Sequence, residues 1–502
     1  MFIKTPFGPE FWATQFRAVQ DFYTGLSRYH ADFFIPYLIA LVYFSRAEMA
    51  NSKALHMGNG NLKDYLDLLE FNTDLWGRGV TGSVNALGEF LNSETESYVR
   101  VLRKSMTGHG ANELAEYFSG LAVKMNGVSH TLPEAVRGIE PAFGFHFDSG
   151  THPLAAETDR FRLYRILPDI PGIKTDDTAK PVLIIPPYVL GCNILGFLPG
   201  DRKSYVHAFA NRGIPTYIRV MKDIRNHPAC QTMTMEADTL DTRYFCEFLK
   251  QSHKQQVTLN GYCQGGFLSL CQILSGELDG LVDALITCVA PMDGTRSKGL
   301  KGFMDNLPGR FNDLAYGTKT LPNGNRVADG KLMGWIYKLK SIEDQAPLAV
   351  FLRDLDMVSR MTARSDRISK TAAALNYWLR NERSDIPLAL TEMSFASYNT
   401  PITADGTLPV TLFGRRLNLK DLPGTEVSWL LCYGEDDDLV EKETALAPLD
   451  YIDVETTLFP KGHVAIATSW SHPDSPYPLH GRFGPENQYR GPVRFHLDLD
   501  KS

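Results

Sequence analysis

A cysteine between glycines, an acidic run and a late histidine are the residues in this chain whose types and spacing could do chemistry. The octapeptide Asn260-Gly261-Tyr262-Cys263-Gln264-Gly265-Gly266-Phe267 follows the apolar run Val257-Thr258-Leu259. A strand that turns sharply into a helix holds the residue at the turn in a strained backbone, and flanking glycines leave room for the close approach of strand and helix. The bland alternative is a glycine-rich turn that carries a buried structural cysteine. Further on, Glu435-Asp436-Asp437-Asp438 follows one apolar run and Lys461-Gly462-His463-Val464 follows the last. A lone loop histidine is usually solvated and an acidic run is usually a charged surface. The order nucleophile, acid, histidine, each just beyond a strand, is what joins the three. A free thiol has a pKa near roughly 8.5, so His463 would withdraw the Cys263 proton and Asp437 would hold the imidazole in the right tautomer. The backbone N–H of Gln264 would meet the oxyanion. Asp293, in Ala290-Pro291-Met292-Asp293, is the alternative acid. A thiol that accepts an acyl group from a thioester keeps it activated, whereas a serine would trap it as an ester, so the cysteine favours transfer from a coenzyme A thioester over plain ester hydrolysis.

These groups need a sheet to carry them. Phe161 to Ile166 alternates as a half-buried strand, and Pro181 to Ile185 is a solid apolar run that ends in Pro186-Pro187. Prolines have no N–H, so a loop there that helps form an oxyanion hole must donate from Tyr188 or Val189. Ile214 to Val220, Val257 to Asn260, Leu281 to Pro291, Glu426 to Gly434 and Glu455 to Pro460 read as further strands, with helices at Ser204 to Asn211, Asp238 to Gln251 and Phe267 to Leu274. Strand-helix alternation of this kind predicts an α/β chain with a mostly parallel sheet, and the elbow at Cys263 places it in the α/β-hydrolase fold. Residues 151–293 and 401–502 form the expected core, and 294–400, including Ser359 to Asn381, form an inserted cap or lid. Residues 1–150 read as a helical N-terminal region. Within it, Asn61 to Met106 repeats apolar residues at helical spacing as a helix or helix pair, weakened as one helix by Gly77, Gly79, Gly82 and Gly88. The region packs on the core or, with Phe11, Trp12, Phe16, Phe22, Tyr23, Phe33 and Phe34, offers a surface to a partner, membrane or hydrophobic particle.

Composition narrows the classes. With 502 residues, 43% hydrophobic and 22% charged, the chain has ample material for a core and the make-up of a soluble enzyme. A net charge of -7, with 51 basic against 58 acidic residues, gives no reason to expect nucleic acid. The 7 cysteines are odd in number and lie mostly in apolar runs, which suits a reducing cytoplasm better than a disulfide framework. No Cys-x-x-Cys pair or histidine pattern points to a metal. The N-terminus lacks a signal-peptide pattern, and the longest apolar run, Phe33 to Phe44, is about half what a bilayer crossing needs and contains Pro36.

At the level of motifs the chain resembles the polyhydroxyalkanoate synthases. Gly261-Tyr262-Cys263-Gln264-Gly265-Gly266 matches that family's cysteine version of the lipase box, and Leu268-Ser269-Leu270-Cys271 is most like the synthases that work with a second subunit. The resemblance extends through Pro186-Pro187, Val289-Ala290-Pro291-Met292-Asp293, Trp378 to Ile386-Pro387, Phe413 to Leu419 and Gly462-His463-Val464. Asp438 stands where the family usually carries a histidine, Tyr188 to Asn193 is leaner in aromatics, and residues 1–150 resemble the family weakly. The resemblance implies an α/β-hydrolase core that polymerises (R)-3-hydroxyacyl groups from coenzyme A thioesters, with no cofactor beyond that substrate. Cys263 would carry the growing chain, His463 would act as base, and Asp437 would assist. It further implies a polyester chain or granule surface as partner, a homodimer or second subunit, and a cytoplasmic, granule-associated location. Two alternatives remain open: an intracellular cysteine hydrolase acting on thioesters, esters or polyester, and a non-catalytic scaffold for granules or a partner.

Overall fold

The computed structural model describes residues 7–54, 62–104, 110–306, 317–362 and 367–501. Asn61, Ser105, Met106 and residues 363–366 of the predicted helical stretches lie outside the described residues. The chain divides into two compact units, one made of Met1–Pro141 with Trp335–Tyr377, the other of Ala142–Gly334 with Trp378–Ser502. The stretch 294–400 is thus shared between the units.

The first unit is helical. α1 (Pro9–Ala54), α2 (Leu62–Lys104) and α3 (Gly110–Asn126) pack with the returning helix Pro347–Thr362. Their core gathers Tyr29, Met125, Val128, Leu132, Phe351, Leu355 and Val358, and the Tyr29 hydroxyl donates to Asp354 Oδ2 at 2.5 Å. The glycines of α2 do not break it. At Gly82 a Cβ would sit 2.0 Å from the Glu343 carbonyl oxygen, so a glycine here permits helix contact too close for any side chain. Arg78 reinforces that contact with a two-pronged bond to Glu343, at 2.6 and 3.1 Å. Trp12, Phe16, Tyr23, Trp76, Val80 and Val84 remain exposed on α1 and α2. Among the described residues no helix is long and apolar enough to cross a membrane.

The second unit is built on an eight-stranded sheet. Its strands are β1 (Leu154–Glu157), β2 (Phe161–Ile166), β3 (Val182–Ile185), β4 (Thr216–Met221), β5 (Val257–Tyr262), β6 (Val282–Cys288), β7 (Ser428–Gly434) and β8 (Glu455–Phe459). They lie in the order β1-β2-β4-β3-β5-β6-β7-β8. β2 runs antiparallel to its neighbours and the strands from β4 to β8 pair in parallel. Every residue of β3 and β5 is buried, because helices cover both faces of a parallel sheet, and this is why these strands read as solid apolar runs. A sharp strand-to-helix elbow after the fifth strand of such a sheet is the α/β-hydrolase fold. The flanking helices that matter for the site are α4 (Met235–His253), α5 (Gln264–Leu274) and α6 (Leu388–Asn399).

Register brings the sequence motifs to one edge. Ile185 pairs with Gly261, Tyr262 with Cys288, Cys288 with Cys432, and Gly434 with Phe459. The loops after β3, β5, β7 and β8 therefore leave the sheet at the same level, at the carboxyl ends of parallel strands, where α/β sheets place their ligands.

Candidate active site

The sharp turn at Cys263 follows from what surrounds it. The residue sits at φ 53°, ψ −124°, between the last residue of β5 and the first of α5. A non-glycine residue with positive φ is strained by about 1–3 kcal/mol and persists only where its surroundings over-determine it. Here its N–H donates to the Cys288 carbonyl at 2.8 Å and its carbonyl accepts from Gly266 N at 2.8 Å. A Cβ on Gly265 would lie 2.4 Å from the Ile185 carbonyl oxygen and 2.9 Å from that of Pro186, and one on Gly261 would strike the Gly265 carbonyl oxygen at 2.4 Å. Glycine at 261 and 265 is thus required by the packing of α5 against β3 and β5. Gln264, as the first residue of α5, presents its N–H at the helix's positive end.

Asp437 and His463 meet as their order in the chain predicts. Asp437 Oδ1 accepts from the N–H groups of Leu439 at 2.9 Å and Val440 at 2.8 Å, and Oδ2 accepts from His463 Nδ1 at 2.8 Å. That bond leaves the lone pair on Nε2. The His463 carbonyl accepts from the Tyr262 hydroxyl at 2.7 Å, which ties the histidine loop to the residue just before Cys263. Burial alone would lower the His463 pKa, but the charges of Asp437 and then Cys263, with the hydrogen bond to Asp437, outweigh it and raise the group well above its ordinary value. Cys263 lies close enough to exert this pull, yet Nε2 is buried and, among the described residues, has no hydrogen bond of ordinary geometry. Hydrogen bonds within a reactive site are often long or poorly aligned until a substrate tightens them. Cys263, Asp437 and His463 are 9%, 4% and 7% exposed, so the three are largely withdrawn from solvent.

The alternative acid is engaged elsewhere. Asp293 accepts from the N–H and hydroxyl of Thr295 at 3.1 and 2.6 Å and pairs with Arg296 at 3.3 Å. Asp438 is exposed. Of the predicted oxyanion donors, Tyr188 and Val189 lie in the turn after β3, whose Ile185 and Pro186 carbonyls meet Gly265 of α5. The Tyr188 side chain points away from solvent, donating to Asp238 Oδ1 at 2.6 Å and accepting from Arg219 at 2.8 Å. The Gln264 side chain reaches α6, where Nε2 donates to Ser394 Oγ at 2.5 Å, and its buried Oε1 has no partner among the described residues. Ser394, Arg219, Asp238 and Gln272 carry no motif and were not singled out by sequence. The one available signal was an arginine, Arg219, inside an apolar strand.

All seven cysteines are free thiols. Burial pushes the Cys192 thiol up to about 12, with the nearby Glu382 charge adding to it. Among the described residues no cluster of three or more histidine, cysteine, aspartate or glutamate side chains is arranged to hold a metal ion.

No known protein family matches the sequence, and no characterised protein matches it at the sequence level. Solved structures do align with it. A thermophilic esterase from Thermogutta terrifontis aligns at 13% identity over 69% of this chain and 95% of its own, with a TM-score of 0.35. A soluble variant of monoglyceride lipase from Saccharomyces cerevisiae aligns at 10% identity over 70% and 93%, with a TM-score of 0.39. The thioesterase domain from the curacin biosynthetic pathway aligns at 10% identity over 63% and 94%, with a TM-score of 0.34. The assignment to the α/β-hydrolase fold rests on the sheet order and the elbow described above.

Proposed function

We propose that this chain is a cysteine-dependent enzyme that cleaves acyl thioesters or esters through an acyl group held on Cys263. The observation that carries this is the strained thiol at the elbow in electrostatic reach of a histidine whose far nitrogen is fixed on Asp437 at 2.8 Å. In acylation the Cys263 sulfur attacks the carbonyl carbon while its proton passes to His463 Nε2. The carbonyl oxygen, now negative, meets the N–H of Gln264 and those of the Tyr188–Val189 turn. The intermediate collapses with the leaving thiolate or alkoxide taking the proton from His463. In deacylation water attacks the acyl-cysteine, gives its proton to His463, and releases the acid and the free thiol. These residues account for the whole hydrolytic cycle with water as the only further reactant.

A second outcome of the same acyl-cysteine is transfer to a hydroxyl, as in a polyester synthase acting on 3-hydroxyacyl-coenzyme A. It is supported by the motif residues Gly261 to Gly266 and by the choice of a thiol, which keeps the acyl group activated. Incubation with 3-hydroxybutyryl-coenzyme A distinguishes the two. Release of coenzyme A with free hydroxy acid is the hydrolytic result, and release with insoluble polyester is the synthetic one. Unchanged turnover in Cys263→Ala would remove both.

A further inference from the structure

The oxyanion donors proposed above come from two separate elements, the turn after β3 and the start of α5. We propose that Asp238, on α4, is the positioning residue that holds those two elements in register. The proposal rests on the acyl-cysteine chemistry of the preceding section and deepens it.

Asp238 is fully buried and its carboxylate is shared. Oδ1 accepts from the Tyr188 hydroxyl at 2.6 Å, and Oδ2 accepts from Gln272 Nε2 at 2.8 Å. Tyr188 belongs to the oxyanion turn, whereas Gln272 lies about two turns along α5 from Gln264. One carboxylate thus grips both halves of the site. Arg219 of β4, also buried, completes the clamp. Its Nη1 lies 2.8 Å from Asp238 Oδ1 and donates to Thr242 Oγ1 at 2.6 Å, while Nη2 donates to the Tyr188 hydroxyl at 2.8 Å. Thr242 Oγ1 in turn accepts from Gln272 Nε2 at 3.0 Å. The Arg219 guanidinium also stacks 4.1 Å above the Phe161 ring.

A buried ion pair contributes little net stability, because removing two charges from water offsets most of their attraction. What directional bonds of this kind supply is geometry. Pro186 and Pro187 have no N–H, so the first donors of the turn are those of Tyr188 and Val189, and the Tyr188 hydroxyl anchors that turn at its base. Gln272 Oε1 is buried without a partner among the described residues, and this side chain serves the cluster through its amide nitrogen.

The test uses the full chain and three variants, Tyr188→Phe, Gln272→Met and their combination. Each single change removes one arm of the clamp while Arg219 and Asp238 remain paired. kcat and KM are measured with 3-hydroxybutyryl-coenzyme A and with p-nitrophenyl butyrate, alongside the rate at which iodoacetamide alkylates Cys263. The expected result is a kcat loss of about tenfold to a hundredfold in each single variant, with KM within about twofold of the parent. Alkylation should match the parent, because it needs no oxyanion donor. The double variant should be no slower than the worse single one, since both act through one carboxylate. A folded Tyr188→Phe protein with parental kcat, or fully multiplicative losses in the double variant, would overturn the clamp. A parent protein that turns over neither substrate removes the acyl-cysteine chemistry itself, and is told apart because the variants then have nothing to lose.

Discussion

The replacement Asp437→Asn should be far more damaging than its size suggests. Asp437 Oδ1 is held by two backbone donors, the N–H groups of Leu439 and Val440, and Oδ2 faces His463 Nδ1. An asparagine must place its oxygen at the first position and its NH2 at the second. Turning it round would set the NH2 against two buried N–H groups, each left unsatisfied at about 1–3 kcal/mol. Even about 2 kcal/mol in total holds the amide in one orientation by roughly thirtyfold. The NH2 then donates to Nδ1, which forces the ring proton onto Nε2, where it blocks uptake of the thiol proton. Wrong-tautomer losses of this kind reach roughly 10⁴-fold in kcat, or about 5.4 kcal/mol of activation free energy. Asp437→Ala frees the ring to choose its tautomer and should lose no more than the isosteric change. The assay is coenzyme A release from 3-hydroxybutyryl-coenzyme A, with circular dichroism and the melting temperature as folding controls. A folded Asp437→Asn protein within tenfold of the parent would refute the placement of His463 as base and Asp437 as its orienting acid.

Two further outcomes follow from the same coordinates. Gly265→Ala forces a Cβ to within 2.4 Å of the Ile185 carbonyl oxygen, a backbone group that cannot swing aside, so urea unfolding should show a loss of about 2–4 kcal/mol. A loss under about 1 kcal/mol would mean that α5 does not approach β3 this closely. His207 is buried beside His152, and burial, aided by the His152 charge, lowers its pKa from 6.5 to about 3. Between those values the unfolded chain takes up a proton that the folded chain refuses, so this stability is present above about pH 6.5 and is lost as pH falls. From pH 7 to pH 5 the effect is about 2 kcal/mol. Urea titrations of the parent and His207→Gln should therefore diverge in that window, and parallel curves would show that His207 titrates normally.

The parts legible in the sequence were those fixed by local rules. β2 spans the predicted residues Phe161–Ile166, because apolar residues set between two arginines at near-alternate positions announce a half-buried strand. The single helix α2 was less legible, since Gly82 reads as a weakness until the Glu343 backbone is found against it. The choice among acids lay beyond local pattern as well. Asp436, Asp437 and Asp438 are equivalent as residue types, and only the turn that aims the middle one at two backbone N–H groups separates them. Asp293 sits equally well after a strand, yet its oxygens are taken by Thr295 and Arg296. Asp238 was invisible for a different reason. A carboxylate near the start of a helix normally reads as a solvated group favoured by the helix dipole, and only tertiary packing brings Arg219, Tyr188 and Gln272 around it.

Burial and chemistry bear jointly on the fate of the acyl group. Deacylation by water needs a water molecule at His463 Nε2, and that atom is closed off from solvent together with the thiol. An acyl group on sulfur is more reactive than one on oxygen, so it does not need a stronger nucleophile than a neutral hydroxyl activated by the same imidazole. In the proposed acyl-cysteine chemistry the acceptor would therefore be chosen by access: whichever hydroxyl reaches Nε2 would receive the acyl group. Next to Cys263, α6 is tied to the elbow through Ser394, whose hydroxyl accepts from the side-chain amide of Gln264, the first residue of α5.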